Sequence, residues 1–256
     1  MNKSGTTYRE FSPHPGLSAY IKCFWHTHTA PGINNEYDIL PDGYFDMIFS
    51  VKDDRVTDIS LTGIWDQMIT VAPEGGTGMF GVRFKPAALA GLLKINISEI
   101  LNRSADIGPE EFSLETTLIT DSLAGGNLDT LIEHLNMRFL SQQSCSADSR
   151  IKTFFELVDR SSGTEPVESI CREIGLSTRQ VCRKVTGLIG IGAKEYSGIA
   201  RFRDNLASIV EGNDYNGFYD QSHLIKNFKK YTGMTPGQLN PANNVRILQY
   251  SRKDLL

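Results

Sequence analysis

The sequence predicts a two-domain α+β protein. Residues 1–145 are expected to form an antiparallel β-barrel or sandwich with trailing helices, and residues 150–242 an all-α domain of helix-turn-helix type. Three observations carry this. A chain of 256 residues with 40% hydrophobic residues can bury a sizeable core, and at roughly 100–200 residues per domain it fits two domains. The first 85 residues are short aromatic and β-branched runs broken by turn-forming clusters. Beyond residue 150 the apolar residues recur at a spacing of three to four.

In the β part, Ala19 to Trp25, Tyr44 to Val51 and Met79 to Phe84 are the strand candidates. Pro-Gly, Pro-Asp-Gly and Glu-Gly-Gly punctuate them. From Pro86 the texture changes to helix: AALAGLLK, then Asn96 to Leu101, then Asn127 to Leu140. In the last stretch Leu128, Leu131, Ile132, Leu135 and Phe139 share one face. The small polar run at 141–149 has no periodicity and is the expected linker.

Charge separates the halves. Residues 1–145 carry 10 basic and 18 acidic side chains, a net of −8, whereas residues 146–256 carry 16 and 12, a net of +4. Cationic side chains gain affinity for DNA by releasing condensed counterions, and carboxylates oppose this. The second half is therefore the DNA-facing candidate. No apolar run reaches the roughly 18–20 residues of a membrane span, and the start, MNKSGTTYRE, lacks a secretion signal. A cytoplasmic chain with reduced, structural cysteines at Cys23, Cys145, Cys171 and Cys182 is expected.

Residues 167 to 185, VESICREIGLSTRQVCRKV, carry the helix-turn-helix pattern. Val167, Ile170, Cys171 and Ile174 form one apolar face, Gly175 supplies a left-handed turn residue and Ser177 caps the next helix. On that second helix Val181 and Val185 face inward, leaving Thr178, Arg179, Cys182, Arg183 and Lys184 outward. An arginine there can pair bidentately with guanine or grip a phosphate, and the competing reading is a solvated helix face. A second stretch, residues 217 to 239, repeats the logic. Leu224 and Phe228 are buried, while Gln221, Ser222, His223, Lys226 and Asn227 point outward. Gln221 suits adenine, and Lys226, Lys229 and Lys230 suit phosphates. Between the two units, Ala193 to Val210 is one helix, with Arg201 and Arg203 placed to hold phosphates or to knit the units together.

GLSTRQVCRKV, ARFRDNL and above all GFYDQSHLIKNFKKYTGMTPGQL resemble the AraC/XylS family of transcription regulators. The resemblance covers about 90 residues and implies two helix-turn-helix units joined by a linker helix, bound in the major groove of double-stranded DNA. ILPDGYFDMIFSV and GVRFKPAALAGLL resemble the sensor-like domain attached to some such regulators. That likeness implies a cupin-like barrel and a small-molecule effector, and the acidic first half with its trailing helices is compatible with pairing into a homodimer. One departure stands out: the stretch before Gly217, EGNDYN, offers no apolar supporting helix for the second unit. Either the first unit carries most of the DNA binding, or the end of the linker helix, with Leu206, Ile209 and Val210, unwinds to supply the support.

Other chemistries are weaker. His26 and His28 alternate on a strand but lack a third metal ligand, so no metal site is expected. Asp38, Asp42 and Asp46 are better explained as turn chemistry around Pro41-Asp42-Gly43 than as a paired-carboxylate site. Neither a nucleophile elbow nor a phosphate-binding loop is present, and neither an enzymatic role nor a cofactor is expected. The expected function is sequence-specific DNA-binding regulation. The rival is a ligand- or protein-binding module whose DNA domain has decayed.

Overall fold

The computed structural model describes residues 5–53, 55–108, 116–142, 148–211 and 221–238. Among these, eight strands come first: β1 (Thr6–Phe11), β2 (Ile21–Thr29), β3 (Tyr37–Ile39), β4 (Phe45–Lys52), β5 (Arg55–Thr62), β6 (Ile69–Val71), β7 (Thr77–Phe84) and β8 (Ser104–Asp106). The helices follow: α1 (Thr116–Ala124), α2 (Leu128–Gln142), α3 (Ser149–Arg160), α4 (Val167–Glu173), α5 (Thr178–Ile189), α6 (Ala193–Glu211) and α7 (Gln221–Thr232). An antiparallel β part followed by helices is the order that the sequence predicts. Among the described residues no helix is long and apolar enough to cross a membrane.

Strands β1, β2, β7, β4, β5 and β8 form one sheet in that order, and β3 pairs with β6 in a second. Side-chain alternation gives the large sheet two unlike faces. On one face Phe24, Phe45, Met47, Phe49, Phe80, Val82 and Phe84 are buried, with Phe84 edge-on to Phe139 of α2 at 5.5 Å. On the other lie Trp25, Asp46, Ile48, Met79 and Arg83, which wall a cavity together with Ile39 of β3 and Val71 of β6. The odd and even positions of FDMIF and MFGVRF thus separate core from cavity.

Gly81 makes this second face possible. It pairs with Trp25 across β2 and with Ile48 across β4. A Cβ at Gly81 would fall 2.1 Å from Trp25 Cε2, so the bare backbone forms a trough in which the indole lies.

Two segments expected to be α-helical are single turns instead. Pro86–Ala90 and Ser98–Ile100 are 3₁₀ helices. The first is bracketed by Pro86 at its start and Gly91 at its end, too close together for a longer helix. Its five residues are nevertheless buried, and α3 packs against them.

The helical part packs through aromatic side chains. Phe155 of α3 meets Tyr196 of α6 edge-on at 5.2 Å, and Phe202 of α6 meets Phe228 and Tyr231 of α7 at 5.5 and 5.1 Å. The buried side chains of sheets and helices form one continuous cluster. Helix α6, 19 residues or about 28 Å long, stays wound through Glu211. The alternative in which its last turns unwind is therefore corrected, and α7 is held by Phe202 instead. The stretch before Gly217, where the sequence offers no supporting helix, lies outside the described residues, as does most of the expected linker.

Replacing Gly81 by alanine should force Trp25 out of its trough and destabilise the fold by about 1–3 kcal/mol, the range for overpacking a close contact. Urea unfolding of the variant measures this; an unchanged midpoint would mean that the indole is free to move.

Candidate functional site

The cavity between the two sheets holds about 280 Å³. Its walls are largely apolar and aromatic, with Tyr8, Trp25, Ile39, Ile48, Trp65, Val71, Pro73 and Met79. Tyr8 and Trp25 stack with ring centroids 6.2 Å apart. The charged lining is Asp42, Asp46 and Arg83.

These charges are tightly organised. Asp46 Oδ1 accepts from Trp25 Nε1 at 2.7 Å and from Arg83 Nε at 3.1 Å. Asp42 Oδ2 lies 3.7 Å from Arg83 Nε, and Glu10 Oε1 lies 3.8 Å from Arg83 Nη1. Burial opposes the guanidinium charge, but Asp46 and Asp42 more than offset it, so Arg83 stays charged. Burial also raises the Asp46 carboxyl above its usual value, against the pull of Arg83. The neighbouring Cys23 thiol is pushed up to about 12 by burial, far from nucleophilic at neutral pH.

Three segments of the β part hold the helices. The Asp42 carboxylate caps its own turn by accepting from Tyr44 N at 2.9 Å, while the Asp42 carbonyl accepts from Arg203 Nη1 of α6 at 2.9 Å. At the adjacent Gly43, a Cβ would come within 3.1 Å of Tyr196 and 3.4 Å of Ile199, both on α6. Three residues beyond the cavity-lining Trp65, Met68 N donates to the carbonyl of Tyr231 on α7 at 2.7 Å. Ile97 N donates to the carbonyl of Leu188 on α5 at 3.3 Å.

Arg203 is the centre of this seam. Its Nη2 bonds Asp159 of α3 at 3.2 Å and its Nε bonds Asp204 at 2.6 Å. The guanidinium also lies over the Tyr44 ring at 4.6 Å. Tyr196 donates to the same Asp159 oxygen at 3.1 Å. Burial disfavours the charge, and Tyr44, Asp204 and Asp159 outweigh it.

Helices α4 and α5 meet at a tight turn with Gly175 at φ +67°. Ser177 and Gln180 form a reciprocal capping box at the start of α5. Val181 and Val185 are fully buried, which turns Thr178, Arg179 and Arg183 to solvent. Cys182 is not outward as expected: it is half-buried and packs against the core. Lys184 pairs with Asp148 at 2.7 Å. On α7, Leu224, Phe228 and Tyr231 are buried, and Ser222, Lys226, Lys229 and Lys230 are exposed. Lys230 is tied to Glu195 of α6 at 2.6 Å. Asn227, expected outward, is half-buried. Gln221 and His223 sit in the first turn of α7, and their side chains lie outside the described set. Arg201 donates to the Gly163 carbonyl at 2.6 Å, bracing α6 against the turn before α4.

Of the charged lining the sequence singles out Asp42 and Asp46, as turn chemistry, and passes over Arg83; Asp46 lies instead on β4, bonded to Trp25 and Arg83, and a signal for this is present. Arg83 and Asp46 interrupt two apolar strands on the face opposite the phenylalanines, where a charge needs a partner. Asp42 does make turn chemistry, as expected, and it also lines the cavity. Asp38 stands apart, accepting from Thr70 on the partner strand at 2.8 Å.

Residues 9–106, which hold the whole charged cluster, match a protein family described as a domain of unknown function, DUF6597. None of the curated proteins matches the chain. Among solved structures it is similar to an apo single-residue variant of ToxT from Vibrio cholerae strain SCE256, with 11% identity, 91% of this chain and 95% of that one covered, and a TM-score of 0.39. It is also similar to wild-type ToxT from the same strain with an unsaturated fatty acid bound, with 12% identity, 80% and 93% coverage, and a TM-score of 0.36.

Replacing Arg203 by methionine keeps the apolar stem but removes the cation that pairs with Asp159 and the donor to the Asp42 carbonyl. The expected loss is about 3–5 kcal/mol, the cost of breaking a buried ion pair from one side. A loss below about 1 kcal/mol in urea unfolding would mean that the seam does not depend on this residue.

Proposed function

We propose that the chain is an effector-responsive, sequence-specific DNA-binding transcription regulator of the AraC/XylS type. In this reading the β part is a cupin-like sensor domain within residues 1–145. Residues 150–242 are the DNA-binding domain, with α5 and α7 as recognition helices in the major groove. The observation that carries it is the direct hydrogen bonding of cavity-bordering loops to the helices: Asp42 to α6, and Met68 to α7. A ligand that shifts Asp42 moves the residue that makes the first bond, and one that shifts Trp65 acts three residues from the second. In this reading the protein acts by binding.

The DNA-facing candidates follow from exposure. Arg179 and Arg183 on α5, and Lys226 and Lys229 on α7, are exposed without an ion pair among the described residues. Thr178 and Ser222 stand beside them as hydrogen-bonding groups at the two helix starts. Lys184, Lys230 and Arg201 have protein partners and must exchange them to reach a phosphate. That internal engagement favours the second reading, a ligand-binding module with weak DNA affinity.

A binding titration of intact protein against DNA from its own upstream region, at two salt concentrations, separates the two. A working regulator binds selectively and loses affinity steeply with salt. Arg183→Ala should lower its affinity by about tenfold, the worth of one base or phosphate contact. Weak binding that is indifferent to both sequence and the substitution would favour the second reading.

A further inference from the structure

The reading of the cavity as an effector site leaves the chemistry of the effector open, and the charge inventory narrows it. Among the lining residues two carboxylates, Asp42 and Asp46, face one guanidinium, Arg83. A third carboxylate, Glu10, approaches that guanidinium from the β1 side at 3.8 Å and is held there by the Tyr8 hydroxyl, which donates to it at 2.6 Å. Arg83 is therefore surrounded by anionic groups before any ligand arrives.

All three charged side chains are nearly buried. The side chain of Arg83 is 8% exposed, against 10% for Asp42 and 13% for Asp46. The guanidinium works as the internal counter-ion of the acidic pair rather than as a free anion receptor. A carboxylate ligand would be a fourth negative group around one positive charge, in surroundings where screening is weak. A positive ligand would instead be drawn to the two carboxylates of the wall.

The rest of the wall fits that charge. Tyr8, Trp25 and Trp65 bring three aromatic rings to a cavity of about 280 Å³. Aromatic faces carry negative potential and attract cations more strongly when water is excluded. Ile39, Ile48, Val71 and Met79 supply an apolar surface for the body of a ligand. The volume lies near the small end of ligand pockets, which begin at roughly 300 Å³, so the body is compact.

We infer that this cavity takes a small organic cation, a protonated amine or quaternary ammonium on a compact apolar or aromatic body. The head group sits against Asp42 and Asp46, and the body lies among Tyr8, Trp25 and Trp65. The inference rests on the effector-site reading above.

The test uses three probes of one shape and different charge: phenylpropylamine, phenylpropanol and phenylpropionate. Each is titrated into the full chain by calorimetry and by quenching of tryptophan fluorescence, since both tryptophans of the chain line the cavity. The amine should bind at least about tenfold more tightly than the alcohol, and the carboxylate least of all. Asp46→Asn, checked for folding by circular dichroism, should reduce amine affinity by about tenfold and leave the alcohol unchanged. Equal or tighter binding of the alcohol or the carboxylate in the wild-type chain, or no binding of the amine, overturns the assignment without recourse to a variant. Repeating the DNA titration with saturating probe separates the two claims. An amine that binds without changing DNA affinity upholds the ligand class and sinks effector control. A carboxylate that binds and changes DNA affinity does the reverse.

Discussion

A guanidinium that cannot give up its proton lies buried at the seam between strands and helices, and the arrangement of the molecule depends on satisfying it. Arg203 draws its partners from two places far away in the sequence, the turn at Asp42 and Tyr44 and Asp159 on α3, and from its own neighbour Asp204. A buried charge is tolerable only when paired and hydrogen-bonded, so these groups must assemble together. Once they have, α6 is held against the cavity-bordering turn. Because Phe202, one residue earlier, meets Phe228 and Tyr231, α7 is held with it.

Asp42 stands between two such arginines. Its carboxylate faces Arg83 inside the cavity and its carbonyl accepts from Arg203 at the seam. One turn residue thus touches both the charged lining of the cavity and a helix. Strand alternation makes the arrangement possible, since it sends phenylalanines toward the helices and Trp25, Asp46 and Arg83 toward the cavity from the same strands. Gly81 completes it by leaving the indole room.

Local patterns in the sequence were sufficient for much of this. The strand segments around Phe24, Phe45 and Phe80, the turn at Gly175, the cap at Ser177 and the inward pair Val181 and Val185 all follow from spacing and turn chemistry, and the structure has them. What escaped depends on contacts between distant residues. The pairing of Trp25 with Gly81 is a matter of register between β2 and β7. Lys184 and Lys230 look free on a helical wheel, yet Asp148 and Glu195 reach them from elsewhere in the chain. Cys182 points sideways into the core edge, which a two-sided wheel does not anticipate. The 3₁₀ turns at Pro86 and Ser98 are shorter than the helices their apolar content suggests, because apolar content alone does not set helix length.

The central claim is that the cavity and the helices form one cooperative body joined at Arg203. Because Trp25 and Trp65 both line the cavity, tryptophan fluorescence reports the β part, while circular dichroism at the helical band reports all the helices, of which α3 to α7 supply the larger share. Urea unfolding followed by both signals is the most direct measurement. Coincident transitions with one midpoint, the signature of a single cooperative unit, are the predicted result. Two separated transitions, with the helices melting apart from the cavity, would contradict the account.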